Sequence, residues 1–337
     1  MTTFKDIRGT AVQSVSSDPT NPEVGQIWYN NTIGVLKGNQ LVAAAWSAGG
    51  NLGTATYSAG AAGSQTAAVL FGGYDGSGPT NGLKTQKYDG STWTAGNNLP
   101  QRRYDCAGAG TQTAALAFGG NAGYPGSPIL TTTAKYDGTN WTSAGTIGTG
   151  RNNLAGAGTQ TAGLAFGGSA TPTTASAATE AYNGTSWTSG GNLSTARKEL
   201  ASATSGTQTA ALAFGGTVTP FNTLSSATEE YNGSSWSAGG NYITSNRILS
   251  GAGTQTAGLG FGGIDPVGAT GATALYDGSV WTTSPASLAI TTRYSACGVG
   301  TQTAGLCASG NGGPGTEKTA TEEFTGAYYT NKKLTTS

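Results

Sequence analysis

Histidine, the commonest general base and a frequent metal ligand near neutral pH, is absent from the 337 residues. No histidine-based triad or histidine-ligated metal centre can therefore be assembled. The remaining reactive groups are thinly spread. Asp89, Asp137 and Asp277 each precede a glycine in equivalent turns, one per repeat, so they stand apart instead of forming the carboxylate pair that glycoside hydrolysis requires. Glu180, Glu229 and Glu230 read as solvated strand residues. Cys106, Cys297 and Cys307 lack metal-type spacing. Cys297 and Cys307 fall on neighbouring strands and read as buried free thiols. The Gly-rich segments follow strands, with no helix behind them to receive a phosphate. Asn183-Gly-Thr and Asn232-Gly-Ser have the form of glycosylation acceptors, but they occupy the places of Asp-Gly turns. The chain reads as non-enzymatic, with no metal and no cofactor.

Composition narrows the partners. Charged residues make up 9% and the formal net charge is zero, so nucleic acid binding has no electrostatic footprint. No apolar stretch is long enough for a transmembrane helix, which argues against membrane insertion. Residues 1–9 lack the apolar centre of a signal peptide.

Repetition is the strongest signal. Gln65, Gln112, Gln160, Gln208, Gln255 and Gln302 recur at spacings of 47 or 48 residues, each within Gly-Ser/Thr-Gln-Thr-Ala. Trp46, Trp93, Trp141, Trp187, Trp236 and Trp281 keep nearly the same period, and a Tyr-Asp/Asn-Gly precedes the last five. In the unit from 103 to 143, four strands are expected at 103–109, 111–118, about 131–136 and 140–143. Asp137-Gly138 is expected as a type I′ hairpin turn. Along the second strand, Leu116 and Phe118 point one way and Ala115 and Ala117 the other. A bulky face can then pack on the slim face of the next sheet, and six such steps close a ring with short, protected edges. The expected fold is all-β: a six-bladed β-propeller of four-stranded blades. Residues 40–48 are in register as the outer strand of the last blade, although 327–331 offers a second candidate.

An apolar strand ending in Gly-Gly, a Tyr and Trp a few residues apart, and an Arg opening the next unit resemble the kelch repeat. The Gly pairs are Gly72-Gly73, Gly119-Gly120, Gly167-Gly168, Gly215-Gly216 and Gly262-Gly263; the arginines are Arg103, Arg151, Arg197, Arg247 and Arg293. Thr56 stands where the first Arg is expected, and Ser309-Gly310 replaces the last Gly pair. The resemblance implies a propeller and little about function. Copper chemistry of the galactose oxidase kind, which some kelch-type propellers carry, would need histidine ligands.

Residues 1–39 do not repeat. Gly25 to Lys37, with Trp28-Tyr29-Asn30, a turn at Gly34 and then Leu36-Lys37, is similar to a hairpin of bacteriophage tail-fibre and other virion proteins. Residues 10–25 are expected as an arm that docks on a partner or as a free linker. The division is residues 1–39 as an attachment segment, with Trp28, Tyr29 and Leu36 as contacts, and 40–337 as the propeller.

Recognition is expected on the rim where loops differ between copies. Tyr74, Asp75, Tyr124, Phe221, Asn222 and Asp265 are the side chains there suited to a sugar or protein ligand. The five arginines begin the innermost strands and are expected around the channel mouth. There each either ties down loop carbonyls or contributes to an anion-binding ring for an acidic glycan. The combined expectation is a virion protein, assembled in the host cytoplasm and homo-oligomeric within a particle. It binds other virion proteins through residues 1–39, and acts as a tail fibre or adhesin for a host surface glycan or protein, or as a decoration protein. The alternative is a non-viral, lectin-like kelch protein.

Overall fold

The computed structural model describes residues 12–23, 25–76, 81–123, 128–171, 173–220, 222–312 and 318–334. The described residues contain strands and no helix. They fall into two compact units: Ala45–Thr325, and the residues up to Ala44 together with those from Gly326 onward.

The larger unit is a six-bladed β-propeller. Blade one is Gly60–Ser64, Ala67–Phe71, Thr85–Tyr88 and Trp93–Gly96, each strand antiparallel to the next. Blade two is Ala107–Thr111, Ala114–Phe118, Thr133–Tyr136 and Trp141–Ala144, in the same order. Blades three, four and five repeat it, with inner strands Ala155–Gly158, Ala201–Ser202 and Ser250–Thr254 and outer strands Trp187–Ser189, Trp236–Ala238 and Trp281–Thr283. Blade six takes Cys297–Gly300, Ala304–Ala308 and Thr321–Thr325 from the end of the repeat region and its outer strand, Ala45–Ala48, from before blade one. Phe324 stands opposite Trp46 and Thr325 opposite Ala45. The expected closure by the N-terminal strand is therefore present, in residues 45–48. Residues 40–42 belong to Val35–Val42, which pairs with Tyr328–Lys333 outside the propeller.

Bulky faces meet slim faces as the alternation requires. Val69 and Phe71 of blade one cluster with Ala115, Ala117, Tyr136 and Trp141 of blade two. Leu116 and Phe118 of blade two meet Ala165 and Tyr182 of blade three, and Leu164 and Phe166 meet Ala211, Ala213, Tyr231 and Trp236. Full burial of one such Phe or Leu contributes about 1.5–3 kcal/mol.

The repeated polar residues join blades. Each of the six glutamines donates from Nε2 to two main-chain carbonyls of the preceding blade, at 2.5–3.1 Å. Each repeat tryptophan donates from Nε1 to a threonine hydroxyl on the preceding blade's third strand, at 2.8–2.9 Å. The Gly pairs have positive φ, +68° at Gly72 and +79° at Gly73, and a Cβ on Gly72 would sit 2.4 Å from the Arg103 carbonyl. Ser309 adopts the same left-handed backbone at +66°, which accounts for the Ser-Gly in the last copy.

The turn after the conserved Tyr differs from expectation. Tyr136 pairs with Trp141, so the loop holds four residues. Gly138 alone among them has positive φ, which excludes type I′. Asp137 Oδ1 instead accepts from the amides of Thr139 and Asn140, an Asx-type closure. Asn183 and Asn232 close their loops in the same way.

The smaller unit is one sheet. Gln13–Val15 runs parallel to Ile27–Asn30, which forms a hairpin with Val35–Val42, and Tyr328–Lys333 pairs on the far side. The unit boundary thus lies at Ala44 instead of residue 39. The C-terminal strand belongs here because its ladder partner, Val35–Val42, does.

Candidate functional site

Two residues beyond each repeat's Arg position, the chain enters the left-handed region. Ser58, Asp105, Asn153, Glu199, Ile248 and Ser295 have φ of 50–59°. Each donates its amide to the carbonyl of the corresponding residue one blade back, at 2.8–3.1 Å: Ser58 to Ser295, Asp105 to Ser58, Asn153 to Asp105, Glu199 to Asn153, Ile248 to Glu199 and Ser295 to Ile248. The result is a closed circle of six main-chain hydrogen bonds. It frames a cavity of about 100 Å³ lined by these six residues and their neighbours Ala59, Cys106, Leu154, Leu200, Leu249 and Ala296. Deeper in, the inner strands line a further 110 Å³. Each is smaller than the about 300–1,000 Å³ usual for small-molecule sites. The opposite mouth, around Gly63, Gln112, Thr159 and Ser205, encloses about 470 Å³ and is built from the invariant turns.

Charge at the ring is sparse and internally paired. Asp105 accepts from Asn121 Nδ2 at 3.2 Å, and Asn121 Oδ1 accepts from Asn152 Nδ2. Burial raises the Asp105 pKa; hydrogen bonds from Ser58 and Asn121 oppose the rise, and the charge of Glu199 adds to it. Glu199 pairs with Arg247 at 3.2 Å.

The arginines lie elsewhere. Arg103, Arg151, Arg197 and Arg293 are 0–1% exposed, inside their blades instead of around the channel. Arg151 Nη1 donates to the carbonyls of Gly167 and Ala178, and Nη2 to Glu180 Oε1 at 2.7 Å. Arg197 treats Gly215, Ala227 and Glu229 alike. Arg293 holds the Ser309 and Ala320 carbonyls and Glu322. Of the two roles considered, the guanidinium groups tie down loop carbonyls. The same pairs correct the reading of Glu180 and Glu229 as solvated: both are buried, each beneath an arginine. Glu230 accepts from Tyr276 Oη at 2.6 Å. Arg247 is out of series. Asn246 fills the buried position, donating to the Gly262 carbonyl, while the Arg247 side chain is 35% exposed.

The loop candidates do not converge. Tyr74 packs between Tyr57 and Tyr104, with ring centroids 5.3 and 6.2 Å away. This aromatic group spans the first two blades, and nothing local in the sequence marks Tyr57 and Tyr104 as part of it. Asp75 pairs with Lys84 at 3.0 Å. Asp265 Oδ1 caps its own turn through the amides of Val267 and Gly268. Asn222 is exposed on the blade-four loop, with φ of 49°. Tyr124 and Phe221 lie outside the described residues. In blades three to five these loops are short hairpins, Ser169–Thr171 with Thr174–Ala175, Thr217–Val218 with Thr223–Leu224, and Ile264–Asp265 with Gly268–Ala269.

In the smaller unit, Trp28 is 0% exposed and so cannot be a contact for another protein. Its Nε1 donates to Asp18 Oδ1, which also accepts from Asn30, while Lys37 pairs with Asp18 Oδ2 at 2.6 Å. These bonds hold the described part of residues 10–25 against the hairpin, so that part is neither a free linker nor an extended arm. Tyr29 is 41% exposed and opposite the half-buried Leu36. Leu41 and Tyr329, also opposite one another, are 47% and 55% exposed.

The three thiols are free and buried. Cys307 stands opposite Gly298, so it and Cys297 are diagonal neighbours on opposite faces. Burial pushes the Cys106 and Cys297 pKa values up to about 12 and that of Cys307 up to about 11.

These features define a β-propeller whose chemically varied residues sit on one rim. No family model matches the chain, and no curated protein matches it. Among solved structures, the one titled "Structure of YjhT" is similar at 13% identity and a TM-score of 0.66, over 83% of this chain and 99% of that one. At that identity the likeness shows the fold alone.

Proposed function

We propose that the protein is a non-enzymatic bacteriophage virion component built on a kelch-type propeller, either a tail fibre or adhesin that recognises a host surface glycan or protein, or a particle decoration protein. The observation that supports this most is the division of labour among side chains. Those that repeat in every blade, the glutamines and the tryptophan–threonine pairs, are spent on blade-to-blade hydrogen bonds. Exposed chemistry that differs from blade to blade lies in the loops around Tyr57, Tyr74, Asn222 and Asp265. The histidine-free sequence supports the non-catalytic part of the reading. The attachment role rests on the Gly25–Lys37 hairpin and the sheet built on it, which exposes Tyr29 and Tyr328 on one face, Leu41 and Tyr329 on the other and Ile33 at the turn, apolar groups available to another virion protein or a second copy of this chain.

Two experiments test this. Electron microscopy of the purified assembly should locate the propeller at a tail tip or on the capsid surface; its absence from any particle would favour a lectin-like protein outside a virus. A glycan array should show binding that Tyr74→Ala with Asn222→Ala abolishes. Binding unaffected by that pair would place recognition away from this rim.

A further inference from the structure

Charge bookkeeping across the six blades singles out blade two. Blades three, four and six each bury an arginine and a glutamate as a pair, Arg151–Glu180, Arg197–Glu229 and Arg293–Glu322. At the same two positions blade one has neutral Thr56 and Gln86, and blade five neutral Asn246 and Ala274. Blade two keeps the arginine, Arg103, but has Ala134 where the glutamate belongs. Arg103 is 1% exposed, and no carboxylate lies within 4.0 Å of its guanidinium among the described residues. Its Nη1 donates to the carbonyls of Gly119 and Thr132 and its Nη2 to Thr132 Oγ1, while Nε, like that of Arg151 and Arg197, has no partner. An uncompensated charge at such depth costs several kcal/mol.

Space accompanies the missing carboxylate. A cavity of about 380 Å³ is lined by Pro100, Gln101, Arg103, Thr132, Thr133, Ser143 and Ala144. At the equivalent place in blade three the Glu180 carboxylate meets the chain: Oε2 accepts from the Gly148 amide, and a Cβ on Gly148 would lie 3.1 Å from that oxygen. Pro100 stands in the place of Gly148, so the amide that would have needed the carboxylate is gone as well. A neutral stand-in is present, since Gln101 Oε1 accepts from Thr132 Oγ1, but it brings no charge.

We propose that this cavity binds a small organic carboxylate, whose oxygens take the place of the missing glutamate and accept from Arg103 and Thr132 after displacing the half-buried Gln101 side chain. Guanidinium presents paired donors that match a carboxylate. The site is independent of the loop rim and of the virion reading.

Sodium propionate, which carries the glutamate side chain's carboxylate, is the probe, titrated into the full chain against sodium chloride at matched ionic strength. Propionate should raise Tm saturably and chloride should not. Ala134→Glu should start from a higher Tm and show binding weakened by about tenfold or more. If that variant does not fold, Arg103→Gln, which keeps a donor but loses the charge, should show the same loss of response. An equal rise with chloride, an undiminished rise in either variant, or no saturable rise in the unsubstituted protein would overturn the proposal.

Discussion

Ser58 donates its amide to the carbonyl of Ser295 at 3.1 Å, although 237 positions separate them in the sequence. The bond joins blade one to blade six and completes the circle at the channel mouth. Glycine supplies none of the six positions, yet all take the left-handed backbone. The conformation is imposed by closure, because each amide must turn to face the previous blade's carbonyl.

Ile248 is the costliest member of that circle. A β-branched residue in the left-handed region is strained, whereas asparagine tolerates it. Ile248→Asn is expected to raise stability by about 1 kcal/mol and Asn153→Ile to lower it by about 1–2 kcal/mol. Urea unfolding of the two variants checks the opposite signs.

Gln112 bridges Ala68 and Tyr88 of the preceding blade through one nitrogen. Gln112→Ala is expected to cost about 1–3 kcal/mol, since two carbonyls lose their donor. Gln112→Glu should cost more, because a carboxylate facing two carbonyls repels them. Chemical denaturation of the pair of variants reads the ordering.

Glu180→Ala would leave Arg151 buried without its carboxylate and should destabilise by about 3–5 kcal/mol. Replacing both residues, Arg151→Met with Glu180→Leu, should cost markedly less, since no lone charge remains. A thermal melt showing the double variant as unstable as the single one would mean that the carbonyl contacts of Arg151, and not its charge balance, dominate.

Asp18 carries the acid sensitivity of the smaller unit. Hydrogen bonds from Lys37, Asn30 and Trp28 lower its pKa from 3.8 to about 2. A depressed carboxylate pKa contributes stability that is complete above the unfolded value and lost as pH falls through the folded one. Between about pH 4 and pH 2 the Trp28 indole N–H signal should therefore shift in NMR spectra while tryptophans of the propeller hold theirs. Asp18→Asn should remove that pH dependence.

Most of the architecture was legible because the repeat is explicit. Leu116 and Phe118 alternate with Ala115 and Ala117, and the tryptophan period places every outer strand, including Ala45–Ala48. The polar interior was not legible. Glu180 is 29 positions from Arg151, and only strand register brings the two together, so a charged residue on a short strand looked solvated. Arg247 has the residue type of the arginine series but not its place; Asn246 holds that place, as its carbonyl accepting from the Gly216 amide shows. The ring from Ser58 to Ser295 has no side-chain type common to its six positions. Its one sequence mark is its constant place two residues after Thr56, Arg103, Arg151, Arg197, Asn246 and Arg293.

Ring closure across blade six is the claim on which the rest depends, and Ala45 opposite Thr325 is its most direct expression. Ala45→Cys with Thr325→Cys, both exposed, should be joined within one chain by a short thiol cross-linker, the buried native thiols staying unreacted. Failure of that pair to link in folded protein, with Thr325→Cys linking readily to a cysteine placed between residues 327 and 331, would show that the C-terminal segment closes the blade and would contradict the structure described.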